Sequence, residues 1–225
     1  QKAASVTNLA TVVKYLALVA LVILAFTGPT GTFSNFSPAW TGTFSLSALA
    51  TAMVSVMWAY DGWADLSYMS GEIKDPARNL PRALILGTLA IIAIYLLVNV
   101  AYMFLVPLPE MARSPLIAAT AAERIPLLGA AGAGIVSAVV MISTFSSVNA
   151  TMMTSPRIFF GMADRGLFFP MIARVSPRFQ SPSTAIFLAT GLGVVYVLFN
   201  NFQQLADKFV LGIWPFYILA VLAVF

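Results

Sequence analysis

An aspartate beside a glycine inside an apolar stretch is the combination in this sequence most suited to chemistry. Within MWAYDGWADLSYMSGE, residues 57–72, the run Trp58, Ala59, Tyr60, Asp61, Gly62, Trp63 and Asp65 stands where a lipid-facing helix would be uniform. A carboxylate at that depth costs at least about 2.5 kcal/mol even on insertion scales, so Asp61 is expected to face a cavity or a partner rather than lipid. Gly62 lowers helix propensity by about 1 kcal/mol relative to Ala, which makes 59–62 the expected place for a break. A broken helix exposes backbone groups that can coordinate a charged or zwitterionic solute, and it is tolerated only against protein or water. The competing reading is an unbroken helix with Asp61 and Asp65 near its cytoplasmic end.

Two further clusters have the right residue types. Lys14 lies about one and a half turns inside the apolar run TVVKYLALVALVILAF. Either its amine snorkels back to the interface, or it is a fixed or titratable cation within the bundle, able to replace a bound metal cation or carry a proton. Ser143, Thr144, Ser146, Ser147, Asn149, Thr151 and Thr154 place seven small polar residues in twelve positions of another apolar run. Hydroxyls bonded to their own helix explain any one of them. So many together suggest a wetted or ligand-facing stretch. Among other chemistries, the absence of Cys and His removes zinc sites, disulfides, thiol nucleophiles and imidazole bases. No nucleophile and base pair stands out, so an enzyme ranks last and no cofactor is expected.

These residues need a membrane scaffold to hold them. Of 225 residues, 60% are apolar and 9% charged, against about 25% charged in a soluble domain. No basic patch interleaved with aromatics suggests nucleic acid. A spanning helix needs about 20 mostly apolar residues, and stretches at 9–27, 43–69, 83–106, 128–154, 183–200 and 208–225 meet or approach that length. The first is not read as a signal peptide, because five more follow. The chain opens on Gln1 and stops within an apolar run at Phe225, so it is expected to be a piece of a longer protein. The fold class expected is an all-α polytopic membrane protein forming one transmembrane domain fragment.

Charge sets the expected orientation. Lys2, Lys74, Arg78, Arg82, Arg157, Arg165, Arg174 and Arg178 fall on one side, whereas the other side holds Arg113, Arg124 and Lys208. The N-terminus of the chain is therefore expected in the cytoplasm. The uncharged loop 28–42 is long enough to fold over an extracellular vestibule. SPLIAATAAERI, residues 114–125, reads as a short amphipathic helix outside the bilayer, and Gly129, Gly132 and Gly134 permit close approach of another helix.

The stretch WAYDGWADLSYMSGEIKDPARNLPRALILG resembles the sixth span and following loop of the amino acid/polyamine/organocation transporters. The family pattern there is Phe-Ala-Tyr-x-Gly-Trp-Asn, then Glu-Glu-Val/Ile-Lys-Asn-Pro and a basic residue before Pro. SSVNATMMTSPRIFFGMADRGLFFPMIARVSP is similar to the eighth span and its loop, usually Ser-Arg-x-Phe-x-x-Ala-Arg-Asp-Gly-x-Leu-Pro. The resemblance covers spans five to ten and is nearest to the L-type amino acid permeases. It implies part of a five-plus-five inverted-repeat fold, with the N-terminal spans of the same protein, including the one that receives the substrate carboxylate, lying outside this chain.

Carried over by position, the resemblance makes Trp58 an aromatic gate over an amino acid substrate, with Ala59, Tyr60, Asp61 and Gly62 in the unwound segment and Trp214 lining the pocket. Lys14 matches a lysine that occupies the place of sodium in sodium-coupled relatives, and Ser146 and Ser147 fall near that place. Ala64, Gly71, Asp75 and Pro156 depart from the usual Asn, Glu, Asn and Ser. Asp61 would pair best with a substrate carrying a positive side chain. The function implied is a sodium-independent amino acid permease, an exchanger or proton-coupled, in a plasma membrane such as the bacterial inner membrane, with the lipid bilayer as its surroundings. The alternatives are a sodium-coupled symporter of the same fold, or a polytopic subunit or channel without a transport cycle.

Overall fold

Apolar sequence without strand signals can satisfy its backbone in a bilayer only by coiling on itself, and the described chain is helical with no strand. The computed structural model describes residues 2–37 and 44–223. Its helices are α1 (Lys2–Thr27), α2 (Leu46–Ala59), α3 (Pro76–Leu105), α4 (Leu108–Met111), α5 (Ile117–Glu123), α6 (Gly132–Thr154), α7 (Pro156–Asp164), α8 (Ser183–Phe199) and α9 (Phe202–Leu222). Short 3-10 turns occupy Phe33–Phe36, Asp65–Glu72, Gly129–Ala131 and Pro170–Ala173. Among the described residues, four runs are long and apolar enough to cross a membrane: Ser5–Thr27, Pro76–Leu105, Gly129–Asp164 and Phe202–Leu222. In the most apolar part of each, 11% is buried, so these helices expose apolar side chains that a soluble core would bury. The chain is therefore an all-α, multi-pass membrane protein.

Local chemistry sets several boundaries. Ser45 caps α2 by accepting from the Ala48 amide at 3.3 Å. Asn201 and Gln204 form a reciprocal capping box at the start of α9, with distances of 2.9 and 3.1 Å. At the other end of α6 the helical path does not stop at Thr154. Ser155 keeps helical dihedrals, and Pro156 opens α7 at the first-turn position where its missing amide costs nothing. Of the loop 28–42, Thr32 caps the 3-10 turn, and residues 38–42 lie outside the described residues.

The chain forms two compact units, residues 1–42 with 81–151 and residues 43–80 with 152–225. In the first, Leu21 and Ala25 of α1 meet Ala101, Phe104 and Leu105 of α3 and Ala121 of α5 in a buried cluster with Val106 and Ile125. Polar contacts close the ends around it. The Thr32 amide and the Asn35 side chain both donate to the Phe104 carbonyl, at 2.9 and 3.0 Å, and Arg124 donates to the Leu105 carbonyl at 2.8 Å. These satisfy carbonyls that α3 leaves open at its C-terminus. Glu110 holds the same guanidinium through 2.6 and 2.5 Å contacts. The 114–125 segment thus contributes α5 as a packed helix that caps α3.

The second unit joins α2 to α9, and α7 to α8. Trp58 sets its ring edge-on to Phe202 and Phe209, at centroid distances of 6.2 and 5.3 Å. Ala163, Ile172 and Ala185 bury one another under Phe159, Phe160 and Phe168. Arg157 reaches Glu72 with 2.6 and 3.2 Å bonds from Nε and a terminal nitrogen. This ties α7 to the 3-10 segment that follows α2.

Close approach of α5 and α6 depends on one glycine. A Cβ at Gly132 would stand 2.7 Å from the Ala122 carbonyl carbon and oxygen, whereas one at Gly134 would meet nothing within 4 Å. Gly132→Ala is therefore expected to destabilise the protein by about 1–3 kcal/mol through overpacking against backbone, and Gly134→Ala to leave it unchanged or slightly more stable. Thermal unfolding of the two purified variants in detergent checks this; equal midpoints would refute the close contact.

Candidate functional site

The helix of α2 runs out in the middle of the apolar stretch. Its last residue is Ala59, and Tyr60 takes φ −100° and ψ 7° as the cap, its amide donating to the Val56 carbonyl at 3.0 Å. Gly62 follows at φ +95°, a left-handed conformation that costs a residue with a Cβ but not glycine. Tight turns then carry the backbone onward, with the Asp61 amide on the Trp58 carbonyl at 3.3 Å and the Asp65 amide on the Gly62 carbonyl at 3.2 Å. The described path is helix, turn and 3-10 segment, not one continuous helix.

Tyr217 of α9 reaches this turn. Its hydroxyl donates to Asp61 Oδ1 at 3.2 Å, and its ring lies 5.4 Å from Trp63 and 5.7 Å from Trp214. Trp214 and Tyr217 are three residues apart and share a face of α9. Pro215 between them has no amide, so the Leu211 carbonyl loses its usual helical donor. Trp214 Nε1 is buried and has no hydrogen-bond partner. An orphaned donor of that kind is available to a ligand's carbonyl or carboxylate oxygen. The structure thus gathers Asp61, Trp63, Trp214 and Tyr217, of which Tyr217 had not been singled out from sequence.

Trp58 faces elsewhere in the same unit. With Tyr196, Lys208, Phe209, Gly212 and Phe216 it lines a cavity of about 630 Å³, which does not include Tyr60, Asp61, Gly62 or Trp214. Lys208 there donates to Asn200 Oδ1. The departure at Asp75 has a backbone explanation, since its φ is +48° and Asn and Asp both tolerate that region.

The Lys14 group belongs to the first unit. Lys14 is half-buried, and among the described residues its ammonium is in neither of the ion pairs, Arg124–Glu110 and Arg157–Glu72. Ser146 is 1% exposed and its hydroxyl has no partner, whereas Ser147 is exposed. Successive residues of a helix point about 100° apart, which separates the two serines. The Asn149 side chain donates to Thr7 Oγ1 at 2.7 Å, while Leu18 and Leu21 share an apolar cavity with Val136 and Val139. That register runs α1 and α6 antiparallel and brings Lys14 to the level of Ser143, about one helical turn from Ser146. Thr144 and Thr151 return their hydroxyls to the Val140 and Ser147 carbonyls, as small polar residues in helices often do. No group of three or more Asp, Glu, His or Cys among the described residues could hold a metal.

The family model for amino acid permeases matches residues 1–225. This chain belongs to that family. Within the amino acid/polyamine/organocation superfamily the permease chain falls on the L-type branch. It is 30% identical to the b(0,+)-type amino acid transporter 1 of Homo sapiens over 90% of its own length and 40% of that protein. It is 32% identical to the serine/threonine exchanger SteT of Bacillus subtilis over 77% of itself and 40% of the exchanger. A third relative, the large neutral amino acids transporter small subunit 2 of Oryctolagus cuniculus, shares 32% identity over 77% of the chain and 31% of the relative. The permease chain therefore spans about 40% or less of the length of these relatives.

The Tyr217 contact can be tested apart from transport. Tyr217→Phe in the full-length protein keeps the ring contacts but removes the side-chain donor to Asp61, and is expected to cost about 1.5–3 kcal/mol, the range for a hydrogen bond to a charged group. A thermal midpoint equal to that of the parent would show that the bond contributes nothing to the fold.

Proposed function

We propose that the full-length protein is a sodium-independent amino acid permease working by alternating access, with substrate held at the broken helix around Trp58–Gly62. The observation that carries this reading is the turn after Ala59, where Gly62 stands at φ +95° and Asp61 beside it meets Tyr217. A turn of this kind offers backbone donors and acceptors to a zwitterion. Trp214 Nε1, buried and unpartnered, supplies a further donor on the same cluster.

Sodium independence is assigned to Lys14. An ammonium within about one helical turn of the buried, unpartnered Ser146 hydroxyl provides a fixed positive charge where sodium would otherwise bind. Exchange is preferred to proton coupling because one of the relatives is named an exchanger. Asp61 favours a substrate with a cationic side chain, for which a partly desolvated carboxylate is the natural partner. We assign the N-terminus of the chain to the cytoplasm on the basic residues at 74–82 and 157–178, by the tendency of Lys and Arg to stay inside.

The deciding experiment is uptake of a labelled amino acid panel into proteoliposomes holding the full-length protein, with internal amino acid, sodium and pH gradients varied independently. Uptake is expected to require internal amino acid and to ignore sodium; strict dependence on sodium would overturn the assignment. In the same assay Lys14→Ala is expected to abolish or uncouple transport while membrane insertion persists, and unchanged uptake would remove Lys14 from the mechanism. Trp58 turns its ring to the cavity it shares with Phe209 and is kept as the gate by its place directly before the break; Trp58→Ala is expected to weaken substrate binding about two- to tenfold, since one aromatic contact is worth about 0.5–1.5 kcal/mol beyond its buried area. Unchanged affinity would refute its role as a gate.

A further inference from the structure

The connection from α7 to α8, residues 165–182, joins two apolar helices and so runs along one face of the membrane. Its surface suits neither water nor hydrocarbon alone. Leu167, Phe169, Met171, Val175 and Phe179 are all more than half exposed, an apolar display of the kind that marks an interaction site. Among them stand Arg165, Arg174 and Arg178, also exposed. None has a carboxylate partner, since the ion pairs among the described residues are Arg124–Glu110 and Arg157–Glu72.

These side chains are displayed by a folded segment. Phe168 and Ile172 turn inward against Ala163 and Ala185, the Ile172 amide donates to the Phe169 carbonyl at 3.0 Å, and a bridge between Ser176 and Ser181 closes the last turn. The Arg178 guanidinium lies over the Phe179 ring at 5.2 Å. An arginine stacked on an aromatic keeps its hydrogen-bond donors pointing outward, where they match a phosphate diester.

Only the headgroup layer of a bilayer satisfies both halves of this surface, because it offers phosphate oxygens beside the upper acyl chains. We propose that residues 165–179 form a docking surface for anionic phospholipids of the adjoining leaflet. Arg165, Arg174 and Arg178 bind the headgroup phosphates, and Leu167, Phe169, Met171, Val175 and Phe179 sit among the first methylenes. The apolar half, and the position of the segment between the candidate span Gly129–Asp164 and the apolar helix α8, favour lipid over an acidic polypeptide. The assignment rests on the chain being a membrane protein and is independent of its substrate.

The test uses the full-length protein in a background free of other cysteines, with Met171→Cys carrying an environment-sensitive fluorophore. It is placed in vesicles of phosphatidylcholine with one-fifth phosphatidylglycerol, and either lipid is supplied brominated at the same mole fraction. Brominated phosphatidylglycerol is expected to quench about twofold more strongly than brominated phosphatidylcholine, as three arginines near the surface enrich anionic lipid locally. The excess should fall at high salt, vanish when all three arginines become Gln, and survive when all three become Lys. Equal quenching by the two lipids would overturn the headgroup assignment. Absence of quenching by either would show the face covered by protein, which equally refutes the proposal.

Discussion

Inside hydrocarbon no water can take up an unpaired amide or carbonyl, and that constraint governs this molecule. In α1 and α6 it is met by a continuous helical ladder, and in α3 and α9 by a ladder that lacks one donor each, at Pro81 and Pro215. α2 ends at Ala59 within the apolar stretch, and the backbone beyond it is covered by tight turns and by the cluster of Trp63, Trp214 and Tyr217. Irregular backbone at such a depth persists only where protein or a wetted cavity surrounds it. The aromatic cluster is therefore a condition of the break as much as a wall beside it.

Charge is handled by the same logic. Arg124 is drawn onto the Leu105 carbonyl and Glu110, where it completes the end of α3. Arg157 is drawn onto Glu72, where it ties α7 to the segment behind the break. Both are bidentate or forked contacts of the kind a guanidinium makes and an ammonium does not. Lys14 has neither arrangement, and its level near Ser143 sets it apart from the cations that hold the fold together.

Much of the architecture was legible in the order of residues. Long apolar runs without Cys or His required a helical membrane protein, and an Asp-Gly pair with flanking tryptophans marked where a helix would be weakest. α7 was not legible as a helix, because nine residues with charges at Arg157 and Asp164 read equally well as a basic loop. Pro156 at its first position and the burial of Ala163 against Ile172 and Ala185 give it its shape. Tyr217 was not legible either, for it looks like any aromatic in an apolar span until its hydroxyl is seen on Asp61, 156 residues away.

The sequence by itself determined the number and composition of the apolar runs, the residues least compatible with lipid and the side on which cations accumulate. These follow from transfer free energies and backbone propensities that each residue carries with it. Only the tertiary structure decided that Ser146 rather than Ser147 is buried, that Tyr217 rather than another aromatic meets Asp61, and that Trp58 lines a cavity apart from the turn. Those outcomes depend on how each helix is rotated about its axis, and that rotation is set by partners remote in the chain.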